Sequence, residues 1–135
     1  MMDFNDFTAA QVRIARPTDK FEEVIDFYGR GLGLKQIDQF TGNSGYEGVI
    51  FGLPDADYHL EFTRHEEGSP CPAPTKDNLL VFYIKNKAAI MRVSRRLEKM
   101  GYIEVEPEND YWKEQGITIE DPDGWRIVLM NREYE

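Results

Sequence analysis

Two histidines and one cysteine are the whole stock of imidazole and thiol in this chain of 135 residues. Cys71 has no partner for an intrachain disulfide, and no CxxC spacing exists, so disulfide scaffolds and cysteine-rich metal sites are excluded and a reducing compartment is expected. No apolar run approaches the roughly 18 residues of a membrane-crossing helix. The opening MMDFNDFTAA has two Asp and no basic residue, the reverse of a secretory signal. A cytoplasmic protein with no membrane partner is the expectation.

Positive charge is also scarce. Sixteen Lys and Arg against 25 Asp and Glu leave a formal charge of −9, which repels a phosphate backbone, so no nucleic-acid partner is expected. The one basic stripe, Arg92, Arg95, Arg96 and Lys99, falls on an amphipathic helix and reads as its solvated face. Neither GxGxxG nor GxxxxGK[ST] occurs, so the nucleotide cofactors that such loops cradle are not indicated. No serine sits in a nucleophile-elbow sequence, and Cys71 lies between prolines, away from either histidine, which argues against covalent catalysis.

What the chain does contain is a repeat. Gly33 and Gly101, Gly48 and Gly116, Pro54 and Pro122, and Asp55 and Asp123 are each 68 residues apart. Beyond the Pro-Asp pair the offset drops to 67, setting Tyr58-His59-Leu60-Glu61-Phe62 against Trp125-Arg126-Ile127-Val128-Leu129. Each half reads strand, helix, three strands. In the first, residues 12–15 read as a strand, and Asp19 is placed to cap a helix that carries Phe21, Val24, Ile25, Phe27 and Tyr28 on one face to about Gly31. Strands follow at 34–40, 46–52 and 58–63, with turns at 41–45 and 53–57. HEEGSPCPAPTK at 65–76 holds three prolines and serves as the connector. The second half has strands at 79–84, near 103, at 116–120 and at 125–130, a helix over 86–100 ended by Gly101, and a Pro-Asp-Gly turn at 122–124. The expected class is α+β, one domain of two βαβββ modules, at about 10–64 and 77–132.

The duplicated unit, the segment DFYGRGLGL at 26–34 and the hairpin DPDGWRIVLM at 121–130 together resemble the vicinal-oxygen-chelate superfamily of glyoxalases, bleomycin-resistance proteins and extradiol dioxygenases. That resemblance covers nearly the whole chain. It implies paired sheets forming an open cup, in which one residue from each of four strands binds a divalent cation that polarises substrate oxygens. Those four positions fall here on Arg13, Glu61, Leu79 and Val128. Only Glu61 has a donor suited to a metal: the Arg13 guanidinium is permanently protonated, and the other two are aliphatic. One-residue slips of the alignment restore neither a histidine nor a carboxylate. A residual site built from His59, Glu61 and Gln11, all on one strand face if the first strand shifts, is the remaining metal alternative. No cofactor is expected otherwise.

By strand alternation within the arrangement the resemblance implies, Arg13, Ala15, His59, Glu61, Thr63, Leu79, Val81, Tyr83, Arg126, Val128 and Met130 face the cup. Candidate ligand-binding residues are therefore Arg13, His59, Glu61, Thr63, Leu79, Val81, Tyr83, Arg126 and Val128, and Glu61 and His59 are the candidates for acid–base work. Arg13 is expected to pair with Glu61 in place of the missing cation, leaving either a pocket for a small polar or aromatic molecule or a structural plug. Tyr46, Tyr111 and Trp112 lie near loops, where they either close over a flat ligand or pack on the rim. The acidic run Glu104, Glu106, Glu108, Asp110 and Glu114 reads as a solvated hairpin or a cation-attracting groove. The functional expectation is a metal-independent small-molecule-binding homodimer, with an enzyme of the same superfamily, a lyase, isomerase or dioxygenase with an unusual metal site, as the alternative.

Overall fold

The computed structural model describes residues 11–52 and 57–131. The first module runs β1 (Val12–Pro17), α1 (Phe21–Asp26) continuing into a π-helical turn (Phe27–Gly31), β2 (Lys35–Asn43), β3 (Tyr46–Gly52) and β4 (Tyr58–His65). The second runs β5 (Leu79–Ile84), α2 (Lys87–Lys99), β6 (Glu104–Val105), a 3-10 turn (Asp110–Trp112), β7 (Gly116–Glu120) and β8 (Arg126–Asn131). Two separate four-stranded sheets result, ordered β1-β4-β3-β2 and β5-β8-β7-β6. In each, the first strand lies parallel to the last and the remaining pairs are antiparallel. This is the tandem βαβββ architecture read from the repeat. Most of the turn expected at 53–57 lies outside the described residues.

Local chemistry explains the helix ends. Asn86 caps α2, its side chain accepting from the backbone N–H of Ala88 and Ala89 at 2.9 and 3.3 Å. Gly33 and Gly101 leave their helices at φ of 88° and 97°, a conformation that favours glycine. Asp19 does not cap α1 as expected. Lys20 occupies the cap without a side-chain bond, the hydroxyl of Thr18 accepts from the Lys20 N–H at 2.9 Å, and the Asp19 carboxylate accepts from the Ser69 N–H instead. Asp19 therefore ties the connector to the first module. The helix is also not α throughout. Its last turn widens, and the adjacent Phe27 and Tyr28 are both buried there.

One core serves both modules. Phe21, Val24, Phe27 and Tyr28 from the first helical segment meet Val49, Phe51, Leu60 and Phe62 of the first sheet, while Ile90 and Leu97 of α2 meet Ile119, Ile127 and Leu129 of the second, in a single cluster. Phe27 packs edge-on against Tyr102, ring centres 4.9 Å apart, across the module boundary. Gly31 sits so close to α2 that a Cβ there would meet Leu97 Cδ2 at 2.6 Å. The basic stripe is exposed as expected, and Arg96 in addition donates from Nε to the Gly31 carbonyl at 2.8 Å, an acceptor left over at a helix end. With core residues on one face of each strand, alternation turns their neighbours outward. Among the described residues no helix is long and apolar enough to cross a membrane.

Candidate functional site

On the outer face of the first sheet, the β1–β4 register sets Arg13 beside His59 and Ala15 beside Glu61. Arg13 reaches diagonally to Glu61, Nη1 to Oε1 at 3.2 Å, with side-chain exposures of 41% and 17%. Gln11 Nε2 donates to the His59 ring, at 2.9 Å from Nδ1 and 3.2 Å from Nε2, so one row carries amide, imidazole, guanidinium and carboxylate. The Phe40 ring lies over Gly48, where any Cβ would collide with it, and gives the strip an apolar flank beside Thr63, the cross-strand neighbour of Gly48. Tyr46 packs edge-on against His65 with ring centres 4.7 Å apart and so belongs to a hairpin rim.

The corresponding face of the second sheet is differently made. Register aligns Leu79, Arg126 and Glu120 in one row, Val81, Val128, Thr118 and Val105 in the next, and Tyr83, Met130 and Gly116 in a third. Val128 is 0% exposed and Met130 2%, yet neither belongs to the common core. Arg126 crosses this face with both ends occupied, Nε donating to Glu120 Oε2 at 3.1 Å and Nη1 to the Glu106 carbonyl at 2.8 Å. Residues 106–115 thus form a strap tied to the sheet. A Gly116 Cβ would meet the Trp112 carbonyl at 3.2 Å, and the Gln115 carbonyl accepts from the Asn131 N–H at 2.7 Å. Under the strap, a cavity of about 320 Å³ is lined by Glu104, Val105, Glu106, Pro107, Trp112, Lys113, Gly116 and Thr118. Thr118 is 1% exposed, and its hydroxyl is the one buried side-chain polar atom among the described residues without a hydrogen-bond partner.

Between the modules lies a network that sequence reasoning missed. Arg16, on the core face of β1, donates to Asp121 and, at 3.0 Å, to Asp123, and lies over the rings of Phe62 and Trp125 at 4.9 and 5.2 Å. Asp121 also accepts from the Tyr28 hydroxyl at 2.7 Å and from the N–H groups of Asp123 and Trp125, while Thr18 donates to Asp123 at 2.6 Å. Burial is the largest influence on Arg16 and works against its charge, but Asp121, Tyr28 and Asp123 together outweigh it and hold the guanidinium above its ordinary value. The signal was available: an arginine alternating onto a core face requires carboxylates, and the DPD turn supplies two. A cleft of about 260 Å³ beside this network is lined mainly by apolar side chains, Ile14, Leu60, Phe62, Leu80 and Ile127 among them.

The duplicated topology, the shared core and the DPDG hairpin coincide with what two family models recognise, the YycE-like N-terminal domain over residues 12–63 and the YycE-like C-terminal domain over 77–131. Protein YycE of Bacillus subtilis strain 168 is 58% identical over 128 residues, 95% of this chain and 92% of its own length. The chain belongs to the YycE-like family, within the vicinal-oxygen-chelate superfamily. The crystal structure of a YycE protein from Bacillus subtilis matches with a TM-score of 0.91 at 55% identity, over 99% of this chain and 98% of that one. Glyoxalase I of Leishmania major shares the fold, with a TM-score of 0.72 at 16% identity over 92% and 87% of the two chains. So does TnmS3, an antibiotic-binding protein from Streptomyces, at 0.64 and 20% over 92% and 96%.

Within that fold the residues present do not suit the superfamily's cation. Arg13 and Glu61 stand on one sheet and Leu79 and Val128 on the other, and among the described residues no strand pairs across. A guanidinium and two aliphatic side chains offer no lone pair, and one carboxylate does not hold a transition metal. Among the described residues no three His, Cys, Asp or Glu side chains are grouped closely enough to bind an ion.

Proposed function

We propose that the chain is a cytoplasmic, metal-independent small-molecule-binding protein that acts as a homodimer, with the Arg13–Glu61 pair at the centre of its binding cup. The carrying observation is the 3.2 Å contact of Arg13 with Glu61 on an outward face, at two positions that the resemblance assigns to metal ligands. Arg13 stands 41% exposed, and an ion pair open to water on one side contributes only about 0–1 kcal/mol to stability, which leaves its groups available for recognition. As recognition groups, a fork of N–H donors beside a carboxylate and an imidazole suit a small polar or aromatic molecule, with the Phe40 flank supplying apolar contact. The second half of the cup comes from another copy. β1 and β5 end their sheets with one edge unpaired, and Val12 and Ile14 on β1 are each 50% exposed. TnmS3, which shares the fold and is described as antibiotic-binding, supports a binding role for this architecture.

The alternative is an enzyme, a lyase, isomerase or dioxygenase with an unusual metal site. It is favoured by the contact of Gln11 with His59 beside Glu61, and by likeness to the YycE structure, a protein of unknown function whose description suggests a glyoxalase or fosfomycin-resistance role. Thermal denaturation of the wild type and Arg13→Ala against a panel of small polar and aromatic compounds, with elemental analysis of the purified protein, separates the two. Binding predicts a ligand-dependent rise in melting temperature that Arg13→Ala abolishes while its own stability changes by no more than about 1 kcal/mol. Near-stoichiometric Ni, Zn, Fe or Mn would instead establish the enzyme reading.

A further inference from the structure

Helix α2 concentrates the positive charge of an acidic molecule. Lys87, Arg92, Arg95, Arg96 and Lys99 lie on it against one carboxylate, Glu98, in a chain whose formal charge is −9. Elsewhere the described arginines are neutralised, since Arg13, Arg16, Arg30, Arg64 and Arg126 each form an ion pair. On α2 none does. Arg96 bonds the Gly31 carbonyl, and the side chains of Arg92, Arg95 and Lys99 have no ion pair or hydrogen bond among the described residues. The helix dipole favours cations in the last turn, which accounts for Arg96 and Lys99 but not for Arg92 and Arg95, which precede it.

Spacings of three and four residues set Arg92, Arg95 and Lys99 on one exposed face, opposite the buried Ile90 and Leu97, over about 10 Å of helix. Met91, 44% exposed, stands one turn before Arg95 and adds an adaptable apolar contact. Because α2 packs into the common core, this surface is separate from the outward sheet faces that form the cup. Unpaired cations complement carboxylates, and the charge of the whole molecule selects their source. A nucleic acid or an anionic membrane presents phosphates far beyond the patch and meets the repulsion of the entire chain. A short acidic segment stays within the roughly 8 Å over which the field of the patch acts at physiological salt. We propose that the exposed face of α2 docks a short acidic segment of another protein. Its carboxylates pair with Arg92, Arg95 and Lys99, and an apolar residue among them packs on Met91.

The test titrates the full chain, followed by amide NMR shifts, with a short synthetic peptide of glutamates around a central leucine. Controls are the same peptide with glycine for leucine, single-stranded DNA, and vesicles containing phosphatidylglycerol. The expected result is saturable binding of the leucine peptide, with shifts concentrated on residues 88–99, and about threefold weaker binding of the glycine peptide. Arg92→Glu with Arg95→Glu, both on the solvent face, should fold with unchanged dispersion and bind the peptide at least about tenfold more weakly. Lys35→Glu with Lys76→Glu, which changes the net charge equally at exposed positions off the helix, should bind as the wild type does. The proposal is overturned if the wild type does not bind the peptide, if shifts fall outside α2, or if the two double variants behave alike. Binding of DNA or vesicles as tightly as the peptide would also overturn it.

Discussion

Tyr28 is the residue on which burial acts most strongly. Desolvation, and after it the neighbouring Asp121 carboxylate, push its hydroxyl well above the ordinary tyrosine value of 10.0. In the unfolded chain the same group ionises near that value. Above about pH 10 the folded state therefore holds a proton that the unfolded state has lost, and stability falls as pH rises. Tyr28→Phe should lose the bond to Asp121, about 1 kcal/mol at neutral pH, and should show a shallower decline between pH 9 and 11.5 in urea unfolding. An unchanged alkaline slope would mean that Tyr28 is not held in its neutral form. At this scale the sequence was partly legible. Arg13 and Glu61 were expected to meet because the resemblance put both at cup-facing positions where its relatives bind metal. Arg16 was overlooked because its partners lie more than a hundred residues away in a turn, where spacing along the chain says nothing about distance.

At the scale of elements, the two helices differ in how they begin. α2 has a proper cap in Asn86, whereas α1 begins at Lys20 without one and depends on Thr18 and on packing against the core. Replacing Asn86 by Ala should cost about 1 kcal/mol, measured as a shift in the urea midpoint at constant slope. Strands were legible from alternation and turn residues, and β3, β5 and β7 fall within the residues expected. The end of the first helix at Gly31 was legible too, but not the widening of its last turn into a π-helix, where Gly31 lies close against Leu97 of the other module. The strap escaped notice for a similar reason. Residues 106–115 read as an acidic hairpin, and only the crossing of Arg126 to the Glu106 carbonyl makes them a cover.

For the whole molecule, the question is how two outward faces come to serve one ligand. The modules are locked by a shared core and by the Arg16–Asp121 pair, and breaking such a buried pair by removing one partner costs about 3–5 kcal/mol. Their outer faces cannot simply fold towards each other. A second copy is the economical solution, and sedimentation equilibrium should give a mass near twice 15.7 kDa at micromolar concentration. A monomer across that range would remove the cup's second half and with it the proposed dimer.

The order of strands and helices, the duplication, the superfamily and the unsuitability of Arg13, Leu79 and Val128 as ligands were all written in the chain, because each depends on residue type and short-range spacing. Which faces are covered, which polar groups lack partners and how the modules interlock were settled only by the folded form. Those properties arise between residues far apart in sequence, where packing and desolvation, rather than local propensity, set the energy.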